Sequence, residues 1–167
     1  MKKTAKKEEK GLDFTSVAGK LVRRIPEETT LEEMGPLILN NLARELEIMS
    51  GLFYIEKKGT FVTAATYAVP PSEESYSFTP GEGLTGQVAR NQQLMVLTSF
   101  PEEYREVASG LGKAPPSYLA LVPLLHRQKT VALIECSGYR YDPHEIESMF
   151  RIFSRDVMEK HFPRLTP

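Results

Sequence analysis

The stretch Pro80-Gly81-Glu82-Gly83-Leu84-Thr85-Gly86-Gln87-Val88-Ala89-Arg90 constrains the fold more than any other, because its glycines fit G-x-G-x-x-G-x-V and so invite a nucleotide-binding reading. A dinucleotide loop needs a buried apolar strand running into the first glycine, so that the following helix can receive a pyrophosphate at its amino terminus. The preceding residues, Val69 to Pro80, contain three prolines and only Tyr76 and Phe78 in alternation with Ser77 and Thr79. They predict a short half-exposed strand ending at a proline, which has no ladder donor. Glu102 and Glu103 stand where a ribose-binding acid would fall, but they follow Pro101 and suit the first turn of a helix. Neither H-R-D nor D-F-G occurs in the 167 residues, which excludes the kinase reading. The glycines are therefore read as a tight reversal leading into a short helix.

Length predicts one domain with a sizeable core. At 41% hydrophobic and 26% charged, the composition is that of an ordinary globular chain. The formal net charge of -1 lacks the basic excess of a nucleic-acid surface. Met1 to Lys10 nevertheless holds five lysines and two glutamates. It reads as a solvated tail over residues 1–11, without the apolar centre of a signal peptide. No run of apolar residues reaches membrane-spanning length, so a cytoplasmic protein with no membrane and no nucleic-acid partner is expected. Cys136 is the only cysteine; it lies in the apolar run Val131 to Cys136 and reads as a buried packing residue. His126, His144 and His161 have no metal-site spacing, and no metal or cofactor is expected.

Periodicity and punctuation give an outline. Leu12 to Ile25 is of mixed pattern. Thr30 caps a helix with acids in its first turn. Gly35-Pro36 predicts a break, with a new segment from Leu37 to Glu47. Ser50 to Glu56 and Thr60 to Val69, joined through Lys57-Lys58-Gly59, predict an antiparallel hairpin. Leu84 to Asn91 reads as a short helix, Leu94 to Leu97 as a strand, and Pro101 to Leu111 as a second short helix. Ser117 to Leu125 and the run from Thr130 predict another hairpin, with Gln128 and Lys129 between them. Asp142-Pro143-His144-Glu145 starts the last helix. Its stripe Ile146, Met149, Phe150, Phe153 and Val157 suits docking on the chain's own sheet or on a second subunit equally. Pro163 ends it.

The order of these elements, with Pro80 to Ala89, Ser117 to Leu124 and Val131 to Ser137 in sequence, resembles the GAF domain family over roughly residues 30–162, after an extension at 12–29 and before a tail at 163–167. The resemblance implies an α+β fold: a central antiparallel sheet of about five or six strands, with amino- and carboxy-terminal helices on one face and ligand-enclosing loops on the other. In that setting Gly81 and Gly83 permit a reversal at positive φ, and Gly86 lets the short helix lie close to the sheet.

By family position the candidate pocket lining is Phe53, Tyr67, Leu84, Gln87, Tyr104, Ser117, Tyr118 and Glu135. For each aromatic, ordinary core filling is the alternative. Glu135 interrupts an apolar run, and strand alternation predicts that it faces solvent; otherwise it is a buried acid needing a partner. The resemblance implies a non-catalytic sensor of an unknown small molecule, acting through a homodimer or a separate signalling protein, since no output domain follows the last helix. The series that accompanies cyclic-nucleotide binding in the family is missing, and Cys136 is poorly placed for tetrapyrrole attachment. A purely structural dimerisation domain is the alternative. An enzyme of the free methionine-(R)-sulfoxide reductase type shares the fold, but its thiol chemistry uses several cysteines. No G-x-S-x-G or complete H-E-x-x-H occurs.

Overall fold

A computed structural model describes residues 12–71, 75–99, 107–109, 112–114 and 116–162. Its elements run α1 (Phe14–Arg23), α2 (Leu31–Leu46), β1 (Ser50–Lys57), β2 (Thr60–Tyr67), β3 (Ser77–Phe78), α3 (Gly83–Asn91), β4 (Met95–Leu97), β5 (Val107–Ser109), β6 (Gly112–Ala114), β7 (Tyr118–His126), β8 (Lys129–Gly138) and α4 (Pro143–His161). Six strands form one sheet in the order β3-β2-β1-β8-β7-β4, and every neighbouring pair is antiparallel. β5 and β6 pair separately. This is the α+β architecture expected from the sequence.

Alternation along β1, β7 and β8 divides the sheet into two apolar faces. Phe53, Ile55, Ala120, Val122, Ala132, Ile134 and Cys136 point to one and pack with α1, α2 and α4. Leu52, Tyr54, Leu121 and Leu133 point to the other, where they meet Val88 and Ala89 of α3 and the aromatics Phe61 and Phe78. Because both faces are covered, β7 reads as a nearly continuous apolar run and is buried from Tyr118 to Leu124. Pro123, in register with Leu133 of β8, is accommodated because β4 pairs only with Leu119 to Leu121, leaving the proline without a neighbouring strand on that side.

The helical stripe of α4 is wholly consumed by this core. Ile146, Met149, Phe150, Phe153 and Val157 are all fully buried, each contributing about 1.5–3 kcal/mol if apolar area is the measure. The stripe therefore docks on the chain's own sheet and α1. Asp142 caps α4 through the His144 amide at 2.7 Å, with Pro143 in the first turn. Lys160 Nζ donates to the carbonyls of Val22 and Ile25, and the His161 ring bridges the carbonyls of Val157 and Pro26. Both contacts tie the end of α4 to the last turn of α1 and the segment after it.

Four expectations change. Residues 12–25, read from the sequence only as of mixed pattern, contain α1, whose Phe14, Val17, Ala18 and Leu21 recur at helical spacing and enter the core. Gly35-Pro36 does not divide α2. Thr30 and Glu33 make a reciprocal capping box, and the one intrahelical bond that Pro36 forfeits in the second turn is offset by the burial of Met34, Ile38, Leu39 and Leu42. Gly35 is needed there, since a Cβ would stand 2.8 Å from the Phe53 ring. Residues 107–109 are strand rather than helix, paired with 112–114; the rest of the helix expected from Pro101 lies outside the described residues, as do the basic tail and Pro163. The β7–β8 turn is Arg127-Gln128, one residue earlier than expected, with both residues at positive φ.

Candidate functional site

The glycine stretch forms a closed turn at the start of α3. Gly81 and Gly83 have φ of 90° and 65°, the left-handed region that favours glycine. The Gly81 amide donates to the Gly86 carbonyl at 2.7 Å, and the Gly86 amide to the Glu82 carbonyl at 3.0 Å. The Glu82 carboxylate accepts from the Thr79 amide and hydroxyl, both at 3.1 Å. These amides are engaged within the turn and do not point at an anion. A Cβ on Gly86 would lie 2.5 Å from the Thr79 carbonyl oxygen. Gly86 therefore lets the helix approach its own preceding turn, where the sequence reading had it approach the sheet.

What α3 covers is the second face of the sheet. Glu135 lies on that face, between Leu52 of β1 and Leu121 of β7 in the strand register, and it is half-buried. Alternation does turn it away from Ile134 and Cys136. It stays partly open to solvent, on a face that also carries a second apolar cluster. Burial, and then the nearby Glu135 charge, push the Cys136 thiol well above its ordinary range, which suppresses the reactive thiolate.

The structure does not gather the eight sequence-predicted lining residues at one site. Phe53, Tyr67 and Tyr118 pack with the helix-side core. Leu84 packs with the α3-side cluster, and Glu135 shares that face. Gln87 is exposed on α3, Ser117 is exposed ahead of β7, and Ser117 Oγ donates to the Gly138 carbonyl at 3.3 Å. Tyr104 lies outside the described residues. Tyr118 is fully buried and its hydroxyl has no partner among the described residues; burial is the main cause that drives its phenol above the usual tyrosine range.

Sequence reasoning missed the α3-face residues Leu52, Tyr54, Leu121 and Leu133, which neighbour Glu135 only through strand register. It also missed an open groove of about 840 Å³ between the α3–β4 connection, the end of β7 and the last turns of α4. Among the described residues no three His, Cys, Asp or Glu side chains are grouped to hold a metal ion, and no helix is long and apolar enough to cross a membrane.

The family model for the GAF domain matches residues 28–157. The chain belongs to the GAF domain family. Among solved structures, a GAF domain of A. aeolicus nlh2 in an inactive state is 18% identical, with a TM-score of 0.65 over 85% of this chain and 89% of that one. The GAF domain of an Acinetobacter phosphoenolpyruvate-protein phosphotransferase is 14% identical, with a TM-score of 0.62 over 87% and 93%. The free methionine-R-sulfoxide reductase of Neisseria meningitidis, in complex with its substrate, is 13% identical, with a TM-score of 0.62 over 88% and 89%. At these identities the likeness is one of fold. No curated protein matches the sequence.

Proposed function

We propose that this GAF domain is a non-catalytic sensory or regulatory module of the cytoplasm. It binds a small molecule on the α3 face of the sheet and relays occupancy through contact with a second chain. The observation that carries the reading is Glu135: a half-buried carboxylate beside Leu52, Leu121 and Leu133, which are themselves buried with Val88 and Ala89 of α3 on the face opposite the helix-side core. A mostly apolar surface with one placed polar group is the usual chemistry of a small-molecule site. The buried Cys136, held as a thiol, supports binding over reductase chemistry.

Native mass spectrometry of the purified protein, followed by a thermal-shift screen of metabolites, tests this. A ligand at one hundred times its Kd should add about 2.7 kcal/mol of stability, and Glu135→Gln or Leu121→Phe should abolish the shift. Multiple turnover of free methionine sulfoxide by the wild type, lost in Cys136→Ser, would overturn it in favour of an enzyme.

A further inference from the structure

With the α4 stripe buried inside the protomer, a second chain must meet another surface, and the open groove at the end of β7 is built for one. Its floor includes Leu125 and Phe162, and Arg127, Arg151 and Arg155 line its rim together with a single acid, Glu159. His126 and Phe162 stand between this groove and a smaller apolar pocket formed with Thr29, Thr30 and Leu31; their ring centroids are 4.9 Å apart. Around that second pocket the chain reads Glu27-Glu28-Thr29-Thr30-Leu31-Glu32-Glu33, with all four glutamates exposed. The surface therefore carries a half-polar groove rimmed by arginines and an acidic turn centred on a leucine, one on each side of a shared wall.

We propose that the protein pairs with a second copy of itself through this face. The acidic turn of each copy sets its exposed carboxylates against the arginine rim of the other, with Leu31, half-buried on its own core, at the centre of the turn. A two-fold axis through the His126–Phe162 wall exchanges groove and turn, so every contact is made twice, as an isologous interface requires. Arg151 and Arg155 already pair with Glu147 at 2.5 Å and Asp156 at 2.9 Å on their own helix, with both arginine side chains 63% exposed. Exposed pairs of this kind are weak, and a guanidinium has five N–H donors, so each can accept a second carboxylate. The inference rests on the second-chain half of the proposed function and is independent of the ligand.

Charge exchange tests it, with sedimentation equilibrium of the full chain over a dilution series. The wild type should be a dimer that weakens as salt rises. Arg151→Glu with Arg155→Glu should raise the dissociation constant at least tenfold, and so should Glu28→Arg with Glu32→Arg. Glu33 is left in place because it completes the α2 cap. Mixing the two variants should restore the dimer, since each reversed groove then faces a reversed turn and each native groove a native turn. Restoration also shows that both variants are folded. A monomeric wild type, a dimer indifferent to either reversal, or a mixture that stays monomeric would each overturn the proposal. A ligand-induced thermal shift is read separately and survives its failure.

Discussion

Gly138 stands directly opposite Tyr118 across β8 and β7, and a Cβ at Gly138 would lie 2.4 Å from the tyrosine hydroxyl. The missing side chain is what allows a fully buried phenol to lie over the strand. Gly138→Ala should therefore cost about 1–3 kcal/mol through overpacking, read by urea denaturation, with Tyr118→Phe in the same chain recovering part of the loss. Tyr118→Phe alone should be neutral or stabilising by up to about 1 kcal/mol, because the hydroxyl it removes is buried without a partner among the described residues.

Cys136 is 1% exposed, so a thiol-specific reagent should label it only on unfolding. Its folded pKa and that of Tyr118 are both raised, chiefly by burial. Above the unfolded values, about 8.5 for cysteine and 10 for tyrosine, the unfolded chain releases protons that the folded chain retains. Stability is therefore fully present below those values and falls as pH rises past them, by up to about 1.4 kcal/mol per pH unit for each group. Cys136→Ala should lower stability at neutral pH and flatten the first part of that decline, as measured by denaturation between about pH 8 and 10.

Two residues of α4 should behave oppositely. Phe153 is fully buried, and Phe153→Ala should cost about 3–5 kcal/mol. Arg151 is exposed with a single on-helix ion pair, and Arg151→Ala should change stability by less than about 0.5 kcal/mol.

At the β7–β8 turn, Arg127 and Gln128 have φ of 50° and 63°, which side chains adopt at a cost. Gln128→Gly should stabilise the protein by about 0.5–1 kcal/mol. The Gln128 carbonyl, which accepts from Gln92 Nε2 at 2.6 Å, is kept.

Gly86→Ala is expected to destabilise by about 1–3 kcal/mol and to loosen α3, because its Cβ would meet the backbone oxygen of Thr79. Hydrogen exchange of the α3 amides should rise in this variant more than that of the β8 amides. Equal increases in both would show that α3 has no local stability of its own.

Much of the fold is legible along the chain because its signals are local. Thr30 and Asp142 cap helices, Lys58-Gly59 turns a hairpin one residue tighter than the Lys57-Lys58-Gly59 connection expected, and the interval between Ile146, Met149, Phe150 and Phe153 marks one helix face. Gly35-Pro36 was misleading because the cost of one lost bond is local, whereas the packing of Met34, Ile38, Leu39 and Leu42 that overrides it is tertiary. The candidate site was less legible. Phe53, Tyr67 and Tyr118 share residue type with pocket-lining aromatics, but which face of the sheet they occupy depends on strand register and on the helices packed there.

The sequence by itself therefore determined the two hairpins, the caps at Thr30 and Asp142, and the reversal at Gly81 and Gly83, since each depends on neighbours within a few residues. Only the tertiary structure decided that the α4 stripe is spent internally, that Glu135 lies between Leu52 and Leu121, and that Arg151 and Arg155 share a groove with Leu125. Those relationships join residues far apart in the chain, and hydrophobic burial rewards them without regard to sequence distance.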